Sequence, residues 1–451
     1  MRLTREIDLY FSELHARLQE RRRRKKWKAD NRKRAKQRER DAAFGKRSKI
    51  IQMLADANAS ESGYTAKADA RLHKGALDVV IPSTFSIIEA PEKAVATIEF
   101  FAKAIRQERL RSVNLNHAAL NKYDLAANGL LDLVAIELNK EASLTKRRIK
   151  WRGQFPKDRH VQRFIRALGI IEHLGLKIFA PDADEIAELR RFDRRHRHYY
   201  REGRPDKADY KSKVVATFSD HINDCLKDNG RMLTPEARQK LCDYTGEILD
   251  NAQEHADMLD WTIQGYLDNA LDTPICEIAI FNFGKTIAET LRGLSKDSYT
   301  WNQIQPYLTH YKRAGLFGAG WAEEDLLTVI ALQGHVSSKN SSADGTRGNG
   351  TIDLITFFQK VHSECAMNSP IKATMAILSG GTHILFDGKY KLSEDDRGPK
   401  TIAFNAENDL NSRPDQNYVR SLKRARFPGT IISIRFPLSN TSTLAAKASH
   451  E

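Results

Sequence analysis

Cysteine is scarce in this chain. Four occur in 451 residues, Cys225, Cys242, Cys276 and Cys365, and none stands in a CxxC pair. That excludes a zinc ribbon or a disulfide framework as the organising device. Long apolar runs are missing too: none approaches the roughly 20 residues that cross a bilayer. No signal peptide precedes a cleavage site, so the expectation is a soluble, cytoplasmic protein that makes no membrane contact. The P-loop pattern GxxxxGK[ST] does not occur either. With 41% hydrophobic residues the chain can nevertheless build cores, and its length suits two or three domains.

Charge is plentiful and uneven. The net charge is +15. Between Arg17 and Arg47 sixteen Lys/Arg face four Asp/Glu, and between Arg190 and Lys213 ten face four, so the remainder is slightly acidic. The run at 21–40 has high helix propensity and almost nothing to bury. Residues 1–60 therefore read as a basic helical arm, either a solvated or intersubunit arm or one that orders on a polyanion. Trp27 is the single aromatic of that run, which gives base stacking little support. In 186–213, read as a basic linker, Tyr and His interleave with Arg. That makes it the better nucleic-acid candidate of the two, with a charged interdomain helix and loop as the alternative. His196 and His198 lack partners at metal-ligand spacing and read as surface histidines.

Residues 76–182 read as a small α/β unit behind a polar, Gly-containing linker at 58–75. Two short apolar runs, DVVIP and FSII, precede a helix opened by Pro91, where the missing N–H costs nothing. The strand-like SVNLNH then leads to Asp124, a good N-cap for LAANGLLDLVAIELNK.

The most informative stretch is Leu241 to Ala256, LCDYTGEILDNAQEHA. Leu241, Tyr244, Ile248, Ala252, His255 and Leu259 form a helical stripe that can face a core. Glu247 and Asn251 lie one turn apart beside it. A carboxamide suits a Mg²⁺ ion completed by phosphate and water, and a carboxylate one turn earlier can take a proton from a nucleophile. The same spacing also describes an ordinary solvated helix face. Next comes an alternating segment, Ile275 to Phe281, with Cys276, Ile278 and Ile280 on one face and Ala279 and Phe281 on the other, ending in Asn282-Phe283-Gly284. A Gly-rich stretch follows, His335 to Thr351, carrying Ser337, Ser338, Lys339, Arg347, Gly348, Asn349 and Gly350, with a helix expected from about Thr351. Last is Gly429-Thr430 before IISIRF. KATMAIL, HILF and TIAF read as further strands.

This ordered series resembles the nucleotide-binding domain of the GHKL superfamily, the group of gyrase-type topoisomerases, mismatch-repair ATPases, histidine kinases and anti-sigma-factor serine kinases. The resemblance covers about 215–437. It implies a Bergerat-type α/β sandwich over 214–440, a mixed, mostly antiparallel sheet with helices on one face, binding ATP and Mg²⁺. On that resemblance Glu247 is the general base and Asn251 the magnesium ligand. Asn282 stands where the family has an Asp that accepts from the adenine amino group, with Gly284 beside the base. Thr286 replaces the motif's second Gly. Ser338, Lys339, Arg347, Gly348, Asn349 and Gly350 form the lid over the phosphates, and Thr430 lies near the adenine. Asn in place of Asp keeps an acceptor and loses charge assistance. The unit at 76–182 more weakly resembles STAS-like domains, whose helix begins with a phosphoacceptor Ser; Leu125 and Ala126 stand there instead.

Three functions follow from these expectations. The first is an ATP-hydrolysing conformational switch in bacterial signalling or defence, acting with a protein partner or as a homodimer. The second is a serine or histidine protein kinase, although neither His15 nor His221 has the surroundings of a phosphorylated histidine. The third is a polyanion-binding scaffold with a degenerate nucleotide site, using 17–47 and 190–213.

Overall fold

The computed structural model describes residues 48–57, 75–105, 110–145, 147–168, 196–203, 208–227, 230–255, 261–268, 273–318, 320–334, 336, 349–368, 371–393, 400–438 and 443–445. For 167, 196–203, 208–211, 247–248, 250–255, 349–350, 364–368 and 445 the description is of the backbone path alone. The arm at 1–47, the linker at 58–74 and the lid residues Ser338, Lys339, Arg347 and Gly348 lie outside the described residues.

The protein is α/β. Its N-terminal unit runs α1 (Lys49–Asp56), β1 (Ala76–Val80), β2 (Thr84–Phe85), α2 (Pro91–Ile105), β3 (Ser112–Asn116), β4 (Lys122–Tyr123), α3 (Leu125–Leu144), β5 (Lys150–Gln154) and α4 (Arg159–Ala167). Strands β1, β3 and β5 form a parallel sheet in that order, and β2 pairs with β4. The following unit runs β6 (His196–Gly203), α5 (Ala208–Lys227), β7 (Arg231–Leu233), α6 (Pro235–His255), β8 (Trp261–Asp268), β9 (Ile275–Phe283), α7 (Ile287–Arg292), α8 (Tyr299–Arg313), α9 (Glu323–Ile330), α10 (Asn349–Asn368), β10 (Thr374–Gly380), β11 (Thr382–Phe386), β12 (Val419–Ser421), β13 (Phe427–Pro437) and β14 (Thr443–Ala445). Its seven-stranded sheet has the order β12-β11-β10-β13-β9-β8-β6. Every pairing in it is antiparallel, where a mixed sheet was expected.

The period of two in β9 sorts its residues as the sequence predicts. Cys276, Ile278 and Ile280 join a core with Phe218 and Ile222 of α5, Leu249 of α6 and Ile355 and Phe358 of α10. Ala279, Phe281 and Phe283 enter a second core with α3 and α2. Both faces of the sheet are thus covered, and the expectation of helices on one face alone is corrected. The physical reason lies in α3, whose residues from Leu125 to Ala135 are all buried. A helix without a polar side must be enclosed. It lies on the sheet so closely that a side chain at Gly129 would overlap the amide of Gln264, which donates to the Gly129 carbonyl at 3.2 Å.

Two further corrections concern segments read from composition. The linker expected over 186–213 supplies the edge strand β6 at His196–Gly203 and the start of α5. Its charges masked a β-compatible HRHYYREG. Conversely TIAF, at 401–404, is a buried loop and no strand. Its backbone is satisfied by side-chain amides: Ile402 N–H donates to Gln333 at 2.9 Å, and Ala403 N–H to Asn408 at 2.7 Å. Amides that replace a neighbouring strand remove the need for one.

The cap of α3 joins the two units. Asp124 caps it as expected, accepting from Ala127 N–H at 2.8 Å, and also takes the Ser86 hydroxyl at 2.6 Å and Ile88 N–H at 2.9 Å. The Leu125 N–H donates at 2.7 Å to Glu277 of β9, a carboxyl fully enclosed between the units. Burial pushes Glu277 up to about 7 from its usual 4.5, reinforced by Asp124 and opposed by Arg435, whose Nε lies 3.5 Å away. Because the folded form holds the proton more tightly, this contribution to stability is complete below about 4.5 and is lost as the pH rises through 7. Its size is on the order of 3 kcal/mol. Denaturant unfolding at pH 5 and pH 8 should show Glu277→Gln losing less stability between the two than the native chain. Equal losses would refute the assignment.

Candidate functional site

At one end of the seven-stranded sheet, the face covered by α5, α6 and α10 changes from apolar to polar. Cross-strand register aligns Trp261, Asn282, Thr430, Ser379, Thr382 and Ser421 in one row. Directly paired residues of antiparallel strands share a face, so the row continues the side that carries Ile278 and Ile280. Asn282 is buried, and its Oδ1 accepts from Thr430 N–H at 3.1 Å. The Ser379 hydroxyl donates to the Gly429 carbonyl at 3.1 Å and accepts from Ile287 N–H at 2.9 Å. The Ser379 and Thr430 hydroxyls are 2.9 Å apart and share a hydrogen bond.

Gly429 makes this row possible. Its φ is 138°, and a Cβ there would overlap the backbone carbonyl of Asn282. The Gly-Thr pair therefore has a structural reading of its own: glycine admits β13 against β9, and threonine completes the row. Thr286, which stands in place of the motif's second Gly, is a buried N-cap. Its hydroxyl accepts from Glu289 N–H at 3.1 Å, and Glu289 returns the bond to Thr286 N–H at 2.8 Å. That capping box gives Thr286 a structural role of its own. Beyond the cap, Arg426 joins Glu289 at 3.1 Å and Glu324 at 2.5 Å, fixing α7 and α9 against the sheet end.

Helix α6 carries Glu247 and Asn251 one turn apart in its backbone path. Leu241, Thr245 and Leu249 are buried, and Tyr244 stacks on Phe357 of α10 at 3.9 Å between ring centroids. Helices α6 and α10 pack against each other. With five residues between them, α6 ends at His255 and β8 begins with Trp261, the register partner of Asn282.

Comparison with protein-family models, curated proteins and solved structures finds no match for this chain.

The site therefore rests on its own geometry. Asn282, Gly284 and Thr430 gather at one sheet end. Gly284, with φ 132°, donates to the Pro428 carbonyl at 3.2 Å. Helix α10 begins at Asn349, two residues ahead of expectation, so Asn349 and Gly350 belong to its first turn. Sequence reasoning missed Ser379 and Trp261, which belong to no motif and are found only through register. A surface cavity of about 630 Å³, lined by Gln305, Pro306, Thr309, His310, Arg313 and Ala314, lies along α8 and shares no residue with this row.

Proposed function

We propose that this protein binds Mg-ATP between α6, the end of β9 and the start of α10, as a Bergerat-type domain of the GHKL superfamily, and hydrolyses it as a conformational switch in bacterial signalling or defence. The observation that carries this reading is the polar row Asn282-Thr430-Ser379 at the end of an otherwise apolar face, next to the helix bearing Glu247 and Asn251.

The residues suit the ligand. The Asn282 oxygen accepts from Thr430 N–H, and a carboxamide oxygen is an acceptor of the kind the adenine amine requires. A 20-residue helix such as α10 presents unpaired N–H groups and a positive end to phosphates. Asn251 would hold Mg²⁺ through its carbonyl oxygen, with phosphate and water as the other ligands, and the ion would draw charge off the phosphates. Glu247 would accept the proton of an attacking water. The N-terminal unit, with its parallel sheet and capped α3, fits a STAS-like module in which Leu125 offers no hydroxyl to phosphorylate.

Titration calorimetry with ATP and MgCl₂ tests the reading. Saturable binding is expected that weakens when Mg²⁺ is chelated. Asn282→Asp should tighten ATP about fivefold, since restored charge assistance is worth about 1 kcal/mol. No heat with any nucleotide would overturn the proposal.

A further inference from the structure

The parallel sheet of the N-terminal unit has an open face. One side of β1, β3 and β5 packs into the core through Leu77, Val79, Val113 and Leu115, with Trp151 set edge-on to Phe101 at 6.4 Å. The other side presents the register rows Asp78-Asn114-Arg152 and Val80-Asn116-Gln154, with Ser112 beside Lys150. All-parallel sheets are almost always covered on both sides, so this face calls for a covering partner.

Its chemistry points to one. From Arg147 to Arg166 the chain carries eight Lys/Arg and a single acid, Asp158. Asp158 is spent capping α4, accepting from His160 N–H at 2.8 Å and Val161 N–H at 3.0 Å. Arg148, Lys150, Arg152, Lys157 and Arg159 are exposed, and none forms an ion pair among the described residues. Asp78, the one acid on the face, is tied to the Asn114 amide at 2.9 Å. Lys150 and Arg152 stand two residues apart on the edge strand, about 6.6 Å along it. They are flanked by the amides of Asn114, Asn116 and Gln154. Val80 is the sole large apolar group on these rows.

We propose that this face and the start of α4 form a docking surface for the phosphate backbone of double-stranded nucleic acid. A protein partner would need apolar surface for the middle of its interface, and the rows supply almost none. Nucleic-acid interfaces are polar and positive. A single strand is disfavoured, because no aromatic ring lies on the rows to stack on its bases. Its residues lie outside both basic stretches at 17–47 and 190–213, and the surface stands independently of the nucleotide reading.

The test uses the full chain and a fluorescein-labelled duplex of about 20 base pairs, followed by anisotropy at several salt concentrations. Combined Lys150→Gln, Arg152→Gln and Lys157→Gln should weaken binding about tenfold at low salt and flatten the slope of log K against log salt by about 2 to 3. Combined Lys296→Gln, Lys312→Gln and Arg313→Gln, all exposed cations elsewhere, should change neither. Acetylation footprinting of the unsubstituted chain gives a second reading: the duplex should protect Lys150 and Lys157, and not Lys296. The proposal is overturned if the two triple variants behave alike, if Lys150 and Lys157 stay unprotected, or if single strands or polyglutamate bind more tightly than the duplex.

Discussion

Glu247→Ala is expected to lower Mg-ATP hydrolysis by a factor of about 10² to 10⁴, the usual contribution of a positioned general base, while ATP affinity changes by less than about threefold. The asymmetry follows from the proposed roles. A base acts on the proton leaving the nucleophile and adds little to ground-state binding, so its loss falls on the rate. Glu247→Gln should behave like the alanine variant, because the amide preserves shape and removes basicity. Asn251→Ala should do the reverse and weaken Mg-dependent binding itself. Incubation with γ-labelled ATP separates two chemistries that share this base. Free phosphate identifies water as the acceptor, and label retained on protein identifies a side-chain hydroxyl or imidazole. Hydrolysis undiminished in Glu247→Ala would remove the residue from the mechanism.

Gly429→Ala is expected to destabilise the fold by about 3 kcal/mol or more. Two costs coincide there. At φ 138° an L-residue is strained, and its Cβ would meet the backbone of Asn282, which cannot turn aside as a flexible side chain can. Strands β9 and β13 lie at the middle of the sheet, so relief requires parting the pair that holds both cores. The apparent unfolding midpoint should fall by about 3 °C or more. Gly315→Ala is the control: its φ is also positive, at 63°, but nothing lies within 4 Å of the added carbon. Its loss should stay near 1 kcal/mol. Similar losses at both positions would show that backbone conformation, and not the contact with β9, governs Gly429.

What could be read from the sequence was local. Asp124 before an apolar helix and the alternation of β9 are short-range signals, since capping and pleat act within a few residues. The Gly-Thr pair and Asn282 stood out as motif positions, yet their mutual contact spans 148 residues and emerges only from strand pairing. The covering of both sheet faces depends on contacts at still longer range. Glu92 of α2 takes Lys423 N–H at 2.9 Å and Arg424 N–H at 2.8 Å, and Glu99 takes Arg426 N–H at 2.6 Å. Nothing in the spacing of a glutamate says which distant amide it will meet. The exposed cations of β5 escaped notice for a different reason. Counting charge over long runs favours 17–47 and 190–213, whereas Lys150 and Arg152 gain meaning only from the alternation of an edge strand.

Strand β9 is a wall shared by two rooms. Asn282 looks into the proposed cleft, and its neighbours Phe281 and Phe283 press on the opposite side, where α3 is seated. A stiff backbone cannot shift one of these without carrying the others. Ligand occupancy on one side would thus reach the N-terminal unit through a single peptide's width, with no relay of side chains between them. Cutting the chain between 168 and 196 would strip an aromatic surface bare on both fragments, so the halves should be soluble together and aggregate apart.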